Sequence, residues 1–295
     1  MFSFLFKFFS ILGVLLFTNT IGHDYSVLKH AYEIRQESFG HLFIFLSYLY
    51  NSLGLEYYWV HLTYAMIFSF SFALITKNII FALLIVFLSG EVLNEQLRFF
   101  SGTILALVLI RYSSALSMVV YLIHPAATIV AGISAIVNRF FINKSAMSLF
   151  FLVVISIASS FLLKPVIIKL SVVFGYAYAG SHFFESISSF GLLYIIATSL
   201  LSIFIVIYSK KIQQQEIEAI TIYGLSLSAC FFSQFAIFSG RLVLVIAILS
   251  TTISIRPSVY RNTINSVRIN YLESFSILML CIVFSVYLAK YFYFL

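Results

Sequence analysis

The sequence predicts an all-α, polytopic integral membrane protein with roughly 9–12 membrane helices, some of them short, broken or re-entrant. Three observations lead there. Hydrophobic residues make up 62% of the 295 residues and charged residues only 9%, and the mean hydropathy is +1.08. A soluble domain is about half apolar and a quarter charged, so no soluble core could hide this much apolar surface. Phe (34) and Tyr (19) abound while Pro (3) is scarce, which suits helices better than the alternating strands of a membrane barrel. Finally, the apolar runs cluster around the ~20 residues that a spanning helix needs. Residues 1–295 are read as a single transmembrane domain. The net charge of +7 is then a topology signal rather than a nucleic-acid footprint.

The opening FSFLFKFFSILGVLLF is like a signal peptide, but the TNTIGHDY that follows has no small-x-small cleavage pattern. It is read as an uncleaved first helix over residues 2–18 with a cytoplasmic N-terminus. The polar stretch 19–38 is expected outside as a solvated loop. Residues 39–54 are apolar but short, and carry His41, Asn51 and Gly54. Spanning helices are expected over 58–75, 79–93, 97–110, 147–163, 190–208, 219–238, 241–255 and 272–290. Residues 113–137 hold His124-Pro125 at their centre, where proline breaks or kinks a helix. The polar stretch 164–189 is expected outside and 256–271 inside.

Basic junctions set the orientation. Lys77, Arg111, Arg139, Lys144, Lys210, Lys211, Arg256, Arg261 and Arg268 can all face the cytoplasm if 39–54 does not cross and 113–137 enters and returns. Nine Lys/Arg then lie inside and seven outside. The apex His124-Pro125 would face outward, and the two non-crossing segments suggest a cavity opening on that side, because irregular backbone at membrane depth needs protein or water around it. There is no internal repeat of the kind many transporters show. Cys230 and Cys281 sit in apolar runs and are read as core residues.

Candidate chemistry concentrates in the outer segments. Residues 19–41 carry Asp24, Glu33, Arg35 and Glu37 with His23, His30 and His41; a plain solvated loop explains most of them equally well. The histidines stand seven and eleven apart, without the i, i+4 pairing of zinc helices, so neither a metal nor another cofactor is expected. In GEVLNEQLRFF (90–100), Asn94 can cap a helix starting near Glu95, and Glu95 with Arg98 can pair on one face. The competing reading gives Arg98 an anion to hold, since guanidinium offers a planar fork that stays charged. Arg241, beside Gly240 in FSGRLVL, is a second ionisable residue at membrane depth, where snorkelling is the alternative. His124 is either a packed histidine or a polar apex. No G-x-S-x-G, Walker, HExxH or CxxC motif is present.

These pieces, in this order, resemble the EpsG-like branch of the Wzy family of bacterial O-antigen and exopolysaccharide polymerases. HDYSVLKHAYE supplies Asp24, Tyr25 and Tyr32 for that family's D-Y-x-x-Y type loop, and QESFGHLF supplies Glu37 and Phe39 for its E-x-F. QLRFFSGTILAL supplies Arg98 for the arginine that opens a small-residue helix, YLIHPAATI supplies His124 for the mid-membrane histidine, and FSGRLVLV supplies Arg241 for the late arginine. The chain departs from the pattern in three places: Phe follows Arg98 where Gln is usual, Tyr32 stands seven residues after Tyr25, and Pro125 follows His124.

The resemblance implies a GT-C-like, metal-independent, inverting glycosyltransferase of the inner membrane, multi-pass, with its active site facing the periplasm. Such an enzyme moves a growing glycan from undecaprenyl diphosphate onto a lipid-linked repeat unit during lipopolysaccharide or exopolysaccharide biosynthesis. Arg98 and Arg241 would stabilise the departing diphosphate, with Arg35 a lesser contact. His124, Asp24 or Glu37 would accept the proton of the attacking hydroxyl. The implied partners are undecaprenyl-diphosphate-linked oligosaccharide and membrane lipid, with room for a chain-length regulator and no nucleic acid. Outer aromatics such as Tyr57, Tyr58, Trp59, Tyr176 and Tyr178 either stack on sugars or form an interfacial belt. A lipid-linked sugar flippase, an O-antigen ligase and a purely structural membrane partner are the rival readings.

Overall fold

The computed structural model describes residues 2–18, 23–35, 40–76, 79–141, 145–173 and 216–250, with scattered positions between 195 and 207. Every regular element among the described residues is helical, as the composition requires. Among the described residues two helices are long and apolar enough to cross a membrane: Tyr57–Ile75, and Met147–Lys169 within a longer helix. The helix expected over 272–290 lies outside the described residues, and that over 190–208 is described only at scattered positions. Described residues up to Ala135 form one compact unit and those from Ile136 onward a second.

The first unit is built on α4 (Tyr57–Ile75), flanked by α1 (Phe2–Phe17) and α6 (Leu97–Leu109), with α5 (Ile79–Glu95) packed on α1. Helix α1 buries Ile11 and Leu15 while Phe2, Phe6, Phe9 and Phe17 stay exposed. An aromatic face left bare in this way suits a helix surrounded by lipid. Phe4 and Phe8 meet Phe70 of α4 edge-on, at 5.3 and 6.4 Å between ring centroids. Lys7 Nζ donates to the Thr76 carbonyl at 2.9 Å, placing a cation at the C-terminal end of α4, where the helix dipole favours it. At the other end Asn94 Nδ2 donates to the Leu15 carbonyl at 3.0 Å. Helices α1 and α5 therefore run parallel, and opposite to α4.

Helix α6 carries Ser101, Gly102, Thr103 and Ala106 on buried faces, small residues that let helix axes come close. Ser101 Oγ donates to the Tyr64 carbonyl of α4 at 2.8 Å. On the other side of α6 the chain folds back through α7 (Ser114–Ser117) and a 3₁₀ turn (Met118–Leu122). It turns at His124-Pro125 and leaves along α8 (Pro125–Phe141). Ala106, Val120, Ala127 and Ala131 pack as one cluster along this path. A Cβ added to Gly102 would lie 2.9 Å from Ala127 Cβ, so the close approach depends on that glycine. Pro125 occupies the first position of α8, where its missing N–H costs nothing and its fixed φ favours the helix. Residues 113–137 thus run in and back around His124-Pro125, the shape expected of them.

Two shorter helices cover this end of the unit. Residues 19–38 were expected as a loop, yet α2 (His23–Glu33) forms there. Leu28, Ala31 and Tyr32 share one buried face, an i, i+3, i+4 pattern that polar neighbours concealed. Helix α3 (His41–Ser52) is 12 residues long, about 18 Å at 1.5 Å per residue, too short for the ~30 Å apolar layer. It starts at Gly40, whose φ of 99° is a left-handed value that glycine adopts without strain.

The second unit contains α9 (Ala146–Val173), α10 (Glu216–Phe231) and α11 (Ala236–Ser250). Residues 164–189 were expected to be a polar outer stretch, but Lys164–Val173 continue α9. Its 28 residues span about 42 Å, and Pro165 lies in its interior. Pro165 removes the hydrogen bond to the carbonyl one turn earlier without ending the helix, as happens where neighbours or lipid still hold it in place. The single helix expected over 219–238 is also two: α10 stops at Phe231 and a turn over 232–235 leads into α11. Ser160 Oγ meets that turn, accepting from Ser233 Oγ and from the Gln234 N–H, both at 3.2 Å. The freed backbone of the turn is therefore partly met by a side chain of α9. Tyr223 O–H reaches the Leu149 carbonyl at 2.7 Å, and Ser199 Oγ lies 2.9 Å from Cys230 Sγ. Cys230 is buried, the packing role its apolar run predicts.

Candidate functional site

The polar chemistry of the first unit collects at one end, where α4 and α6 begin and α5 finishes. The stretch Asn94–Arg98 forms the joint between α5 and α6. Gln96, with φ −113° and ψ 29°, leaves helical geometry, so Glu95 ends one helix and Arg98 lies in the first turn of the next, which begins at Leu97. The one-face Glu95–Arg98 pair expected from their spacing is therefore not a feature of a single helix, and Glu95's side chain lies outside the described residues. The capping role expected of Asn94 is also overturned. Asn94 sits inside α5 and spends its Nδ2 on the Leu15 and Gly90 carbonyls at 3.0 and 2.9 Å, tying α1 to the end of α5.

Arg98 is partly buried, and its guanidinium lies 5.4 Å from the centroid of the Phe43 ring of α3. Such a cation–π contact contributes on the order of 0.5–2 kcal/mol, increasing as water is excluded. On the α4 side, the Arg98 charge acts on the Tyr64 hydroxyl. The next residue, Phe99, meets the His124 ring edge-on at 5.7 Å. The break at His124-Pro125 and the start of α6 are thus neighbours. Gly40 closes the same corner: a Cβ there would lie 3.6 Å from the Ile123 carbonyl and 3.9 Å from Pro125 Cδ. His41 follows, 6.1 Å from the Tyr121 ring.

Helix α2 lies across the start of α4. Tyr25 and Tyr32 are seven residues apart, close to two helical turns, and both rings contact Tyr57, at 5.0 and 5.9 Å. Their spacing, a departure from the D-Y-x-x-Y pattern, keeps them on one face. Tyr57 is consequently buried beneath α2, whereas Tyr58 and Trp59 are exposed. Tyr32 O–H donates to the Leu55 carbonyl at 2.5 Å, and Asn51 Nδ2 donates to the Tyr32 carbonyl at 3.2 Å. Burial raises the Tyr25 phenol above its ordinary 10.0, with the Glu56 and Tyr58 charges adding to the effect. Burial alone raises that of Tyr32. Both are neutral phenols at physiological pH.

Sequence reasoning missed His61 and Tyr64. They are three residues apart on α4, buried at 3% and 1% exposure, and the His61 Nε2 and Tyr64 Oη have no hydrogen-bond partner. Asn94 Oδ1 and Gln96 Oε1, at the adjoining helix joint, are likewise buried and unpartnered. Each such atom costs about 1–3 kcal/mol of lost solvation. The signal that could have found them is polarity inside a spanning run: YYWVHLTYAM places His61 and Tyr64 on one helical face.

The remaining expected site residues stand apart from this cluster or outside the description. Arg35 follows α2, exposed, with a left-handed φ of 53°; its N–H donates to the Tyr32 carbonyl at 3.3 Å, so it acts as part of the turn that ends the helix. Asp24 is in α2, but its side chain lies outside the described residues, and Glu37 is outside them altogether. Arg241 belongs to the second unit. It was expected to open a helix, but it lies six residues into α11, partly buried. No family model matches this chain, and no curated protein or solved structure is similar to it.

Proposed function

We propose that this chain is a polytopic inner-membrane polymerase of bacterial surface polysaccharide. It transfers a growing undecaprenyl-diphosphate-linked glycan onto a lipid-linked repeat unit at the periplasmic face, without a metal. The observation that carries this reading is the convergence of Arg98, His124, Tyr25 and Tyr32 at one end of the first unit. These residues were singled out by their resemblance to the EpsG-like polymerases, and they are up to 99 residues apart in sequence (124 minus 25). A guanidinium held against an aromatic ring in a largely apolar setting suits the stabilisation of a departing diphosphate, because charge develops there and the low dielectric strengthens the interaction. His124, at the neighbouring break, is the candidate to take the proton of the attacking hydroxyl. In that step the hydroxyl oxygen bonds to the anomeric carbon, the bond to the diphosphate oxygen breaks, and the hydroxyl proton passes to the imidazole.

The test is complementation of a strain lacking this gene. Arg98→Ala should leave lipopolysaccharide capped with a single repeat unit while the protein still inserts at normal levels. Loss of all repeat units would instead identify a flippase, and full-length polymer from Arg98→Ala would end the proposal.

A further inference from the structure

We propose that His61 and Tyr64 complete, with Arg98, a subsite for phosphate oxygens at the head of α4. The two side chains project from one face of that helix, one turn apart, and neither His61 Nε2 nor Tyr64 Oη has a protein partner. Two buried polar atoms left unsatisfied within one turn are a departure from the rule that such groups are paired. Every neighbouring element adds to the enclosure. The Arg98 charge acts on Tyr64 from α6. Ser101, one turn after Arg98, bonds the Tyr64 carbonyl at 2.8 Å. Asn94 approaches His61 from the end of α5, and the Tyr25 ring of α2 meets the imidazole at 5.2 Å.

The ligand class follows from the donors. Arg98 offers a fork of N–H groups, Tyr64 an O–H and His61 an N–H, all suited to an acceptor-only group such as a phosphoryl oxygen. Arg98 is the most accessible of the three and meets the phosphate first. Seating against Tyr64 and His61 then requires the guanidinium to lift from the Phe43 ring. This subsite deepens the proposed function and rests on it only in taking a lipid-linked diphosphate as the natural ligand.

The experiment titrates the full chain, in phosphatidylcholine nanodiscs, with inorganic pyrophosphate and separately with undecaprenyl diphosphate. Binding and melting temperature are read for the wild type, Tyr64→Phe, His61→Gln and Arg98→Ala. Tyr64→Phe and His61→Gln should each weaken both ligands about tenfold, and Arg98→Ala more. Without ligand, Tyr64→Phe should melt no lower than wild type, since its hydroxyl makes no bond there. Wild-type affinity in Tyr64→Phe, or a lower unliganded melting temperature, overturns the subsite; if His61→Gln does not fold, Tyr64→Phe decides alone. Discs containing phosphatidylglycerol form the remaining arm. Protection by that lipid equal to undecaprenyl diphosphate would keep the phosphate chemistry and overturn the lipid-linked diphosphate as its source. Loss of binding in Tyr64→Phe alongside normal polymer in cells would confirm the subsite and refute the polymerase reading.

Discussion

At Arg98 a single side chain joins α6 to α3 through the Phe43 ring, and its charge reaches Tyr64 of α4. Lysine keeps the charge but loses the planar fork and the stacking surface. Arg98→Lys should therefore shorten polymer strongly, by at least tenfold in rate, with insertion unchanged; wild-type chain length would show that only the charge matters. Arg241 is tested by the same substitution in α11. Arg241→Lys should also shorten chains if it grips diphosphate oxygens in a bidentate fashion, and unaltered lengths would remove that role. Both outcomes can be read as ladder patterns on a lipopolysaccharide gel.

Among the elements, the contact between α6 and the segment turning at His124-Pro125 is the one most sensitive to side-chain size. Gly102 faces Ala127 so closely that a methyl group would sit 2.9 Å from its Cβ. Forcing extra volume into a packed contact costs about 1–3 kcal/mol. Gly102→Ala should lower the melting temperature in detergent micelles, and adding Ala127→Gly should recover part of the loss. A double-mutant cycle with no coupling between the two positions would contradict the packing. The start of α3 is constrained differently. Gly40 has a φ of 99°, so Gly40→Ala should destabilise by roughly 1–2 kcal/mol through backbone strain, although space is available for the methyl.

For the chain as a whole the decisive quantity is which end of each helix faces which side of the membrane. In the first unit Ser52 lies near the start of α4 and Tyr112 just beyond the end of α6, two parallel helices, so they mark opposite ends; both are exposed. In a background lacking Cys230 and Cys281, Ser52→Cys should react with an impermeant thiol reagent from outside, and Tyr112→Cys only after the membrane is opened. The reverse pattern would place Arg98 on the cytoplasmic side, where the acceptor chemistry proposed for it has no substrate.

Much of this was legible from composition and local pattern. Apolar runs in a chain with so few charges must become helices that satisfy their own backbone, which is why α1, α4, α5 and α6 appear within about two residues of where the sequence puts them. Proline chemistry likewise marks the break at His124-Pro125. Amphipathic α2 was hidden because its polar residues suggested a loop, and its buried face exists only because α4 is there to receive it. The burial of Tyr57 had no local signal, and polarity inside a spanning run marks His61 and Tyr64 without showing that their polar atoms lack partners. Each depends on what residues distant in sequence do with their hydrogen-bonding groups. Secondary structure here follows from the solvent and the backbone, which act residue by residue; the site follows from packing, which only the folded chain can specify.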